Sequence, residues 1–297
     1  PYQFTLEVPA AHEAVTNTPV HSQSEGGGWK TIVFEKTPPL PSYLLALATG
    51  PLEFTDVPGT RFPTRIVTVQ GQKALTGYTA ETTPKLLAAL ERWFGIPYPF
   101  AKLDLVAVPE FAYGAMENPG LITFRDGLLL LDPASATVSQ RRSGVSVNCH
   151  ELSHMWFGDL VTMAWWDDLW LNESFADWMA AKITDETFPE FKYGLDELQA
   201  IDRTMESDAQ PSTQAIRAKT DAASAGLVNV GLVYKKGNAV LSTFENYLGP
   251  EVFQKGVRRY LEAHAWGNAT AGDLWKALDQ ASGQPVSDAM ATFTDQP

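Results

Sequence analysis

The chain has little cysteine, no long apolar run and few positive charges for its 297 residues. Its one cysteine, Cys149, cannot form an intrachain disulfide, so the fold must depend on a hydrophobic core. The longest apolar run, around residues 127–131, is far shorter than the ~20 residues that cross a bilayer, so we expect no membrane span. With 22 basic against 35 acidic residues the net charge is −13, which disfavours binding to nucleic acid.

The beginning of the sequence also lacks a recognisable targeting segment. The first residue is Pro1 rather than Met, so we expect a segment of a longer or processed chain. The compartment is therefore not fixed by the sequence. A cytoplasmic location is favoured over a secreted or periplasmic one.

The hydrophobic pattern changes near residue 70. Residues 1–70 alternate apolar and polar side chains, which predicts the C-terminal part of an antiparallel β domain. We predict strands at 2–8, 29–35, 43–48 and 65–70, and a turn at 22–28. Residues 71–297 form a second predicted domain with a helical period and two short strands, at 103–108 and 121–124. Strands followed by helices predict an α+β fold rather than a βαβ repeat.

Helices are predicted over most of the second domain. The sequence Thr82-Thr83-Pro84 is typical of a capped helix start. Further helices are predicted near 138–157, 172–184, 192–207, 232–247, 250–265 and 270–282.

The segment His150-Glu151-Leu152-Ser153-His154 carries the strongest chemical signal. Helix positions i and i+4 share one face, so both imidazoles can reach a single metal ion. Glu151 projects about 100° away, where it can accept a proton from water. By itself this pentapeptide also fits a helix with two surface histidines and a solvated glutamate.

A third ligand candidate, Glu173, follows His154 with 18 residues between them and opens another predicted helix. Two imidazoles and one carboxylate suit Zn²⁺ and leave one position for water, which is typical of a catalytic site. We therefore expect one Zn²⁺ per chain. Cys149 lies on a different helix face, so we predict a small buried apolar residue and not a ligand.

A second segment, residues 113–118, reads Tyr-Gly-Ala-Met-Glu-Asn. Gly114 allows the backbone to approach a ligand closely, and the Glu117 carboxylate suits the α-ammonium group of a peptide. Considered alone, the segment is more simply a turn at the end of a strand.

Together these motifs resemble the M1 family of zinc aminopeptidases, gluzincins of the aminopeptidase N type. HELSHMWFGD, WWDDLWLNES and the upstream GAMEN carry the resemblance, which covers essentially the whole chain. PSYLLALATGPLEF resembles the end of the family's N-terminal β domain, and residues 71–297 resemble its thermolysin-like catalytic domain. The resemblance implies that His150, His154 and Glu173 bind zinc and that Glu151 is the general base.

The resemblance also implies which residues contact the substrate. In this sequence they are Tyr113, Gly114, Ala115, Met116, Glu117 and Asn118. Glu117 would anchor the substrate amine, and Tyr113 would line the pocket for the first residue. The family's Tyr-x-Lys-Gly motif corresponds to Tyr234-Lys235-Lys236-Gly237, which implies that Tyr234 hydrogen-bonds the oxyanion. From the residues alone, Tyr234 would be a core tyrosine, and Lys235 and Lys236 solvated charges.

Three positions depart from common family residues: Met155, Asp159 and Ser174, the last replacing a common glycine after the glutamate ligand. None is a ligand or the base. The function expected is therefore zinc-dependent removal of N-terminal residues from peptides with a free N-terminus. Two alternatives stay open at this point, a zinc epoxide hydrolase of the same superfamily and an inactive scaffold with an M1-like fold.

Overall fold

The computed structural model describes residues 1–217, 219–220 and 231–296, and the chain divides into two compact units. The first unit comprises Pro1–Ala88 and Tyr98–Leu152, and the second comprises Ala89–Pro97 and Ser153–Pro297. Antiparallel strands come first and helices dominate later, which confirms the α+β class. The domain boundary at residues 70 and 71 stays a prediction, and residues 218, 221–230 and 297 of the second predicted domain lie outside the described residues.

The strands belong mainly to the first unit. They are β1 Thr5–Pro9, β2 Glu13–Thr16, β3 Val20–Gly26, β4 Trp29–Phe34, β5 Leu47–Gly50, β6 Leu52–Asp56, β7 Thr64–Val69, β8 Leu103–Val108, β9 Ala115–Met116 and β10 Leu121–Arg125, with β11 Val161–Met163 and β12 Gly267–Ala269 in the second unit. The helices are α1 Gly77–Phe94, α2 Asp126–Leu129, α3 Val138–His154, α4 Trp170–Thr187, α5 Tyr193–Asp208, α6 Gly237–Leu248, α7 Pro250–His264, α8 Ala271–Ser282 and α9 Val286–Thr294. None of the described helices is both long and apolar enough to span a membrane.

The strands of the first unit form a five-stranded sheet and two smaller sheets. The five-stranded sheet has the order β6-β7-β8-β10-β9, in which β8 runs parallel to both neighbours. Successive side chains of β8 point to opposite faces of the sheet and nearly all of them are buried, so both faces are covered at this strand, as is usual where strands run parallel. The short strand β9 lies at the edge of this sheet and is antiparallel to β10.

The start of α1 differs from the prediction. The helix begins at Gly77, and Pro84 lies inside it. The hydroxyls of Thr82 and Thr83, which we expected to cap the helix, donate to the carbonyls of Tyr78 and Thr79. A threonine hydroxyl can bond a carbonyl one turn earlier inside a helix, or it can cap the first turn. The Thr-Thr-Pro pattern therefore did not determine where the helix begins.

Two predictions in the first 70 residues were also wrong. Residues 43–48 are not one strand, because Ser42–Leu44 forms a 3₁₀ turn and β5 begins only at Leu47. Leu44 is fully buried, and its carbonyl accepts a hydrogen bond from the Asn17 amide at 3.0 Å. The turn predicted at 22–28 is shorter, because β3 continues to Gly26 and only Gly27 and Gly28 take positive φ, at 62° and 84°.

Candidate metal centre and substrate site

The two histidines of the predicted metal motif lie in the final turns of helix α3. His150 and His154 belong to one continuous helix, and the division between the two units falls inside it, between Leu152 and Ser153. We predicted a helix up to residue 157, but α3 ends at His154. The chain turns sharply there through Gly158, whose φ is 128° and where a Cβ atom would lie 3.3 Å from His154 Nδ1.

This turn fixes the orientation of the His154 ring. The Phe157 carbonyl oxygen lies 2.9 Å from His154 Nδ1. Because a carbonyl can only accept a hydrogen bond, Nδ1 carries the proton in the neutral ring and Nε2 carries the lone pair. A backbone or carboxylate partner of this kind is the usual support of a metal-binding histidine.

Helix α4 brings Glu173 to His154. Phe157, after α3, stacks on Phe175 of α4 with ring centroids 3.9 Å apart and planes 3° from parallel. The Glu173 Oε2 atom then lies 3.4 Å from His154 Nε2. Two ligands on a tetrahedral zinc, with bonds of about 2.0–2.1 Å, are roughly 3.3 Å apart, so this pair has the separation that zinc requires.

His150 completes the group one turn earlier on α3. One ligand atom from each of His150, His154 and Glu173 lies within 4.8 Å of the other two. His154 is buried, whereas His150 and Glu173 are half-buried. Two neutral imidazoles and one carboxylate suit Zn²⁺, so the residues present fit a zinc ion.

A second group contains Glu117 and Glu151, the two motif glutamates that are not in the ligand group. Carboxylate oxygens of Glu117 and Glu151 and a ring nitrogen of His154 lie within 4.8 Å of one another, and all three residues are buried. Glu117 and Glu151 are only 6% and 5% exposed. Two ionised carboxylates this close and this poorly hydrated repel each other, so a cation next to both would be stabilised.

The segment 113–118 contains β9, the edge strand of the five-stranded sheet. Ala115 and Met116 are strand β9, paired with Phe124 and Thr123 of β10. The Arg125 backbone amide donates to the Gly114 carbonyl at 2.8 Å, and its guanidinium donates to carbonyls at the start of the loop. The Gly114 backbone is therefore held at the edge of a sheet.

The side chains of this segment differ in exposure. Tyr113 is 73% exposed. Asn118 is buried, and its amide donates to the Leu44 carbonyl and accepts from the Thr123 hydroxyl, so it holds the turn. A Cβ atom on Gly114 would meet only the Leu128 side chain, at an ordinary 3.7 Å. Packing therefore does not require a glycine at residue 114.

Tyr234 lies in a π-helical turn, Leu232–Lys236, that leads directly into α6. The side chain is half-buried. Such turns are rare and occur frequently at functional sites. The sequence predicted an ordinary helix at 232–247, since a π-helical turn has no local signature in side-chain periodicity.

The two lysines after Tyr234 are not solvated charges, so that prediction was wrong. Lys235 Nζ lies 2.9 Å from Asp177 and 2.7 Å from Glu197, and Lys236 Nζ lies 2.9 Å from Asp208. The sequence did not reveal these pairs, because the partners of Lys235 are 58 and 38 residues away along the chain.

The two acids that contact Lys235 stabilise its charged form. Burial lowers the pKa of Lys235, but Asp177 and Glu197 outweigh this and raise it above its usual value. Burial, together with the charge of Asp177, raises the pKa of Glu197.

Cys149 is fully buried, as predicted.

Comparison with known proteins places the chain in a family. The model of the peptidase family M1 domain matches residues 78–293. The chain belongs to peptidase family M1. Members of this family are generally zinc-dependent.

Several M1 proteins are similar over almost the whole chain. Aminopeptidase M1-A of Oryza sativa subsp. japonica is 36% identical over 299 residues, covering 99% of this chain and 34% of that protein. Puromycin-sensitive aminopeptidase of Caenorhabditis elegans is 38% identical, covering 99% of this chain and 32% of that protein. Probable aminopeptidase 2 of Sulfurisphaera tokodaii is 37% identical, covering 97% and 37%. This M1 chain thus spans about a third of the length of the curated relatives it matches.

Proposed function

We propose that this chain carries the catalytic centre of a zinc aminopeptidase, which removes single residues from the N-termini of peptides. One observation carries the proposal. A buried second carboxylate, Glu117, groups with Glu151 and with His154, which also belongs to the candidate metal-binding group. A zinc endopeptidase has no need of this additional acid. The names of the similar proteins are further support.

His150, His154 and Glu173 would hold the zinc ion. Bound there, Zn²⁺ supplies Lewis acidity, which polarises a peptide carbonyl and makes water acidic near neutral pH. The hydrogen bond from His154 Nδ1 to the Phe157 carbonyl keeps Nε2 available as the ligand atom.

Glu151 is the general base and acid in this proposal. It accepts a proton from the attacking water as the oxygen adds to the carbonyl carbon, and it transfers that proton to the amine nitrogen as the C–N bond breaks. Its burial among carboxylate and imidazole groups keeps bulk water from competing for the proton. Tyr234 would donate a hydrogen bond to the carbonyl oxygen as that oxygen becomes negative.

Glu117 and strand β9 would bind the substrate. An extended peptide can pair with the edge of a sheet, and β9 is such an edge. Glu117 directly follows β9, and its carboxylate suits the α-ammonium group at the end of a peptide. Anchoring the N-terminus there would allow only the first peptide bond to be cleaved.

The test is a product time course with a hexapeptide of six different residues, followed by mass spectrometry. The proposal predicts loss of one residue at a time from the N-terminus, with no internal fragment as an early product. It also predicts that chelation abolishes activity and that one equivalent of zinc restores it. Early internal fragments, or full activity in metal-free protein, would contradict the proposal.

A further inference from the structure

Both neighbours of Tyr234 in the sequence are bonded to helix α4, which carries Glu173. The Ser174 hydroxyl donates to the Val233 carbonyl, and Lys235 Nζ binds the Asp177 carboxylate at 2.9 Å. Ser174 directly follows Glu173, and Asp177 lies one helical turn further along α4. The candidate metal ligand and Tyr234 are therefore linked through two bonds, one on each side of the tyrosine.

The bond from Ser174 explains the π-helical turn. In an α-helix the Gly237 amide would donate to the Val233 carbonyl, four residues earlier. Here it donates to the carbonyls of Leu232 and Tyr234 instead, and the Val233 carbonyl accepts from Ser174. A side chain that enters the hydrogen-bond ladder of a helix is a known cause of such a distortion.

The packing around Ser174 has no spare room. Ser174 is fully buried, and a Cβ atom built on Gly237 would overlap its hydroxyl oxygen. A glycine at residue 237 and a serine at residue 174 therefore fit each other.

We propose that Ser174 and Lys235 are positioning residues, which hold Tyr234 at a fixed place relative to Glu173. This inference rests on the proposed function, in which Tyr234 donates to the developing oxyanion. A hydrogen bond made in the transition state depends on placement within a fraction of an ångström, and a displacement of ~1 Å can cost about 100-fold in rate.

The first experiment compares Ser174→Ala with a matched control. Ser174→Ala deletes only the hydroxyl, and we expect kcat to fall by roughly 10- to 100-fold with KM and zinc content unchanged. The control is Lys182→Met, which removes an ion pair of 2.6 Å between Lys182 and Glu245 of α6; Lys182 lies about two helical turns after Ser174 on α4. Lys182→Met should keep kcat. Equal losses in the two variants would overturn the proposal.

A double-mutant cycle separates positioning from general destabilisation. In a Tyr234→Phe background, where no phenol remains to be placed, Ser174→Ala should lower kcat by less than about twofold. If Ser174→Ala lowered kcat by the same factor with and without the Tyr234 phenol, Ser174 would not act through Tyr234, and the inference would be overturned. Lys235→Met is the second variant, and its effect on kcat should likewise be much smaller in the Tyr234→Phe background than in the wild type.

Hydrogen exchange in the metal-free protein gives a readout independent of activity. We expect Ser174→Ala to speed amide exchange in the peptide covering residues 231–238, and Lys182→Met to leave it unchanged. Unchanged amide exchange in Ser174→Ala would show that Ser174 does not hold the turn around Tyr234, even if the enzyme is active. A wild-type protein that hydrolyses no peptide would instead contradict the proposed function, and the exchange result alone would then decide whether Ser174 holds the turn.

Discussion

Glu151 and His154 are both buried near the end of α3, but helix geometry gives them different tasks. His154 shares a face with His150, and its Nε2 is 3.4 Å from Glu173 Oε2. Glu151 is rotated about 100° around the helix from His150, and its carboxylate groups with Glu117 rather than with the His150 and Glu173 ligand atoms. In the proposed mechanism, a metal ligand and the general base therefore come from the same helix.

Replacing Glu151 should separate metal binding from catalysis. In Glu151→Gln the ligand group is intact, so we expect a full equivalent of zinc by elemental analysis. Turnover should fall by about 10²–10⁴-fold, because the proton acceptor is lost. A variant that kept wild-type kcat would show that another group moves the proton.

Tyr234 is expected to act mainly in the transition state. Tyr234→Phe removes only the phenol oxygen, so kcat should fall by roughly 10²–10³-fold with little change in KM. Steady-state kinetics on a Leu-peptide measure both constants. A rise in KM at constant kcat would instead assign Tyr234 to ground-state binding.

At the scale of whole elements, helix α8 illustrates how local chemistry sets a boundary. Thr270 and Asp273 form a capping box, in which the Thr270 amide and hydroxyl each donate to Asp273 Oδ2 at 2.8 Å. Partial burial would raise the pKa of Asp273, but these bonds and the nearby His264 and Lys276 lower it below its usual value. The capping box therefore depends on an ionised carboxylate.

The capping box predicts a pH-dependent stability difference. Because the folded pKa of Asp273 is depressed, its contribution is complete above the unfolded value of about 3.9 and is lost as the pH falls through the folded value. We expect Asp273→Asn to lower the free energy of unfolding by about 1 kcal/mol at pH 7, and by less below about pH 4. Urea titrations at several pH values measure this, with Glu262→Gln as a surface control. A difference that grew on acidification would contradict the sign of the pKa shift.

What could be predicted from the sequence depended on how far apart the interacting residues are. The spacing of His150 and His154 is a local property of one helix, so the grouping needed no tertiary information. Lys235 was misjudged because Asp177 and Glu197 come from distant helices. The start of α1 was missed for a local reason, since Thr82 and Thr83 fit a cap and a helix interior equally well.

At the scale of the whole molecule, zinc binding should stabilise the folded state and raise its Tm. A ligand that binds only the folded state adds about 2.7 kcal/mol at 100 times its Kd. We expect zinc to raise the Tm of chelator-treated protein, and to do so equally for Glu151→Gln. His154→Ala should lose most of this shift, because it removes a ligand. A wild-type shift in His154→Ala would place the ion elsewhere.

We infer that Glu117 makes this M1 chain an exopeptidase, and a paired assay on free and blocked peptides measures this. The measurement compares kcat/KM for a Leu-peptide and its N-acetylated form, in the wild type and in Glu117→Ala. An acetylated N-terminus offers no cation to Glu117, so the wild type should leave that peptide essentially uncleaved. Glu117→Ala should lose on the order of 10²-fold or more on the Leu-peptide and discriminate far less between the two substrates. Similar wild-type rates on both peptides would show that Glu117 does not select a free N-terminus.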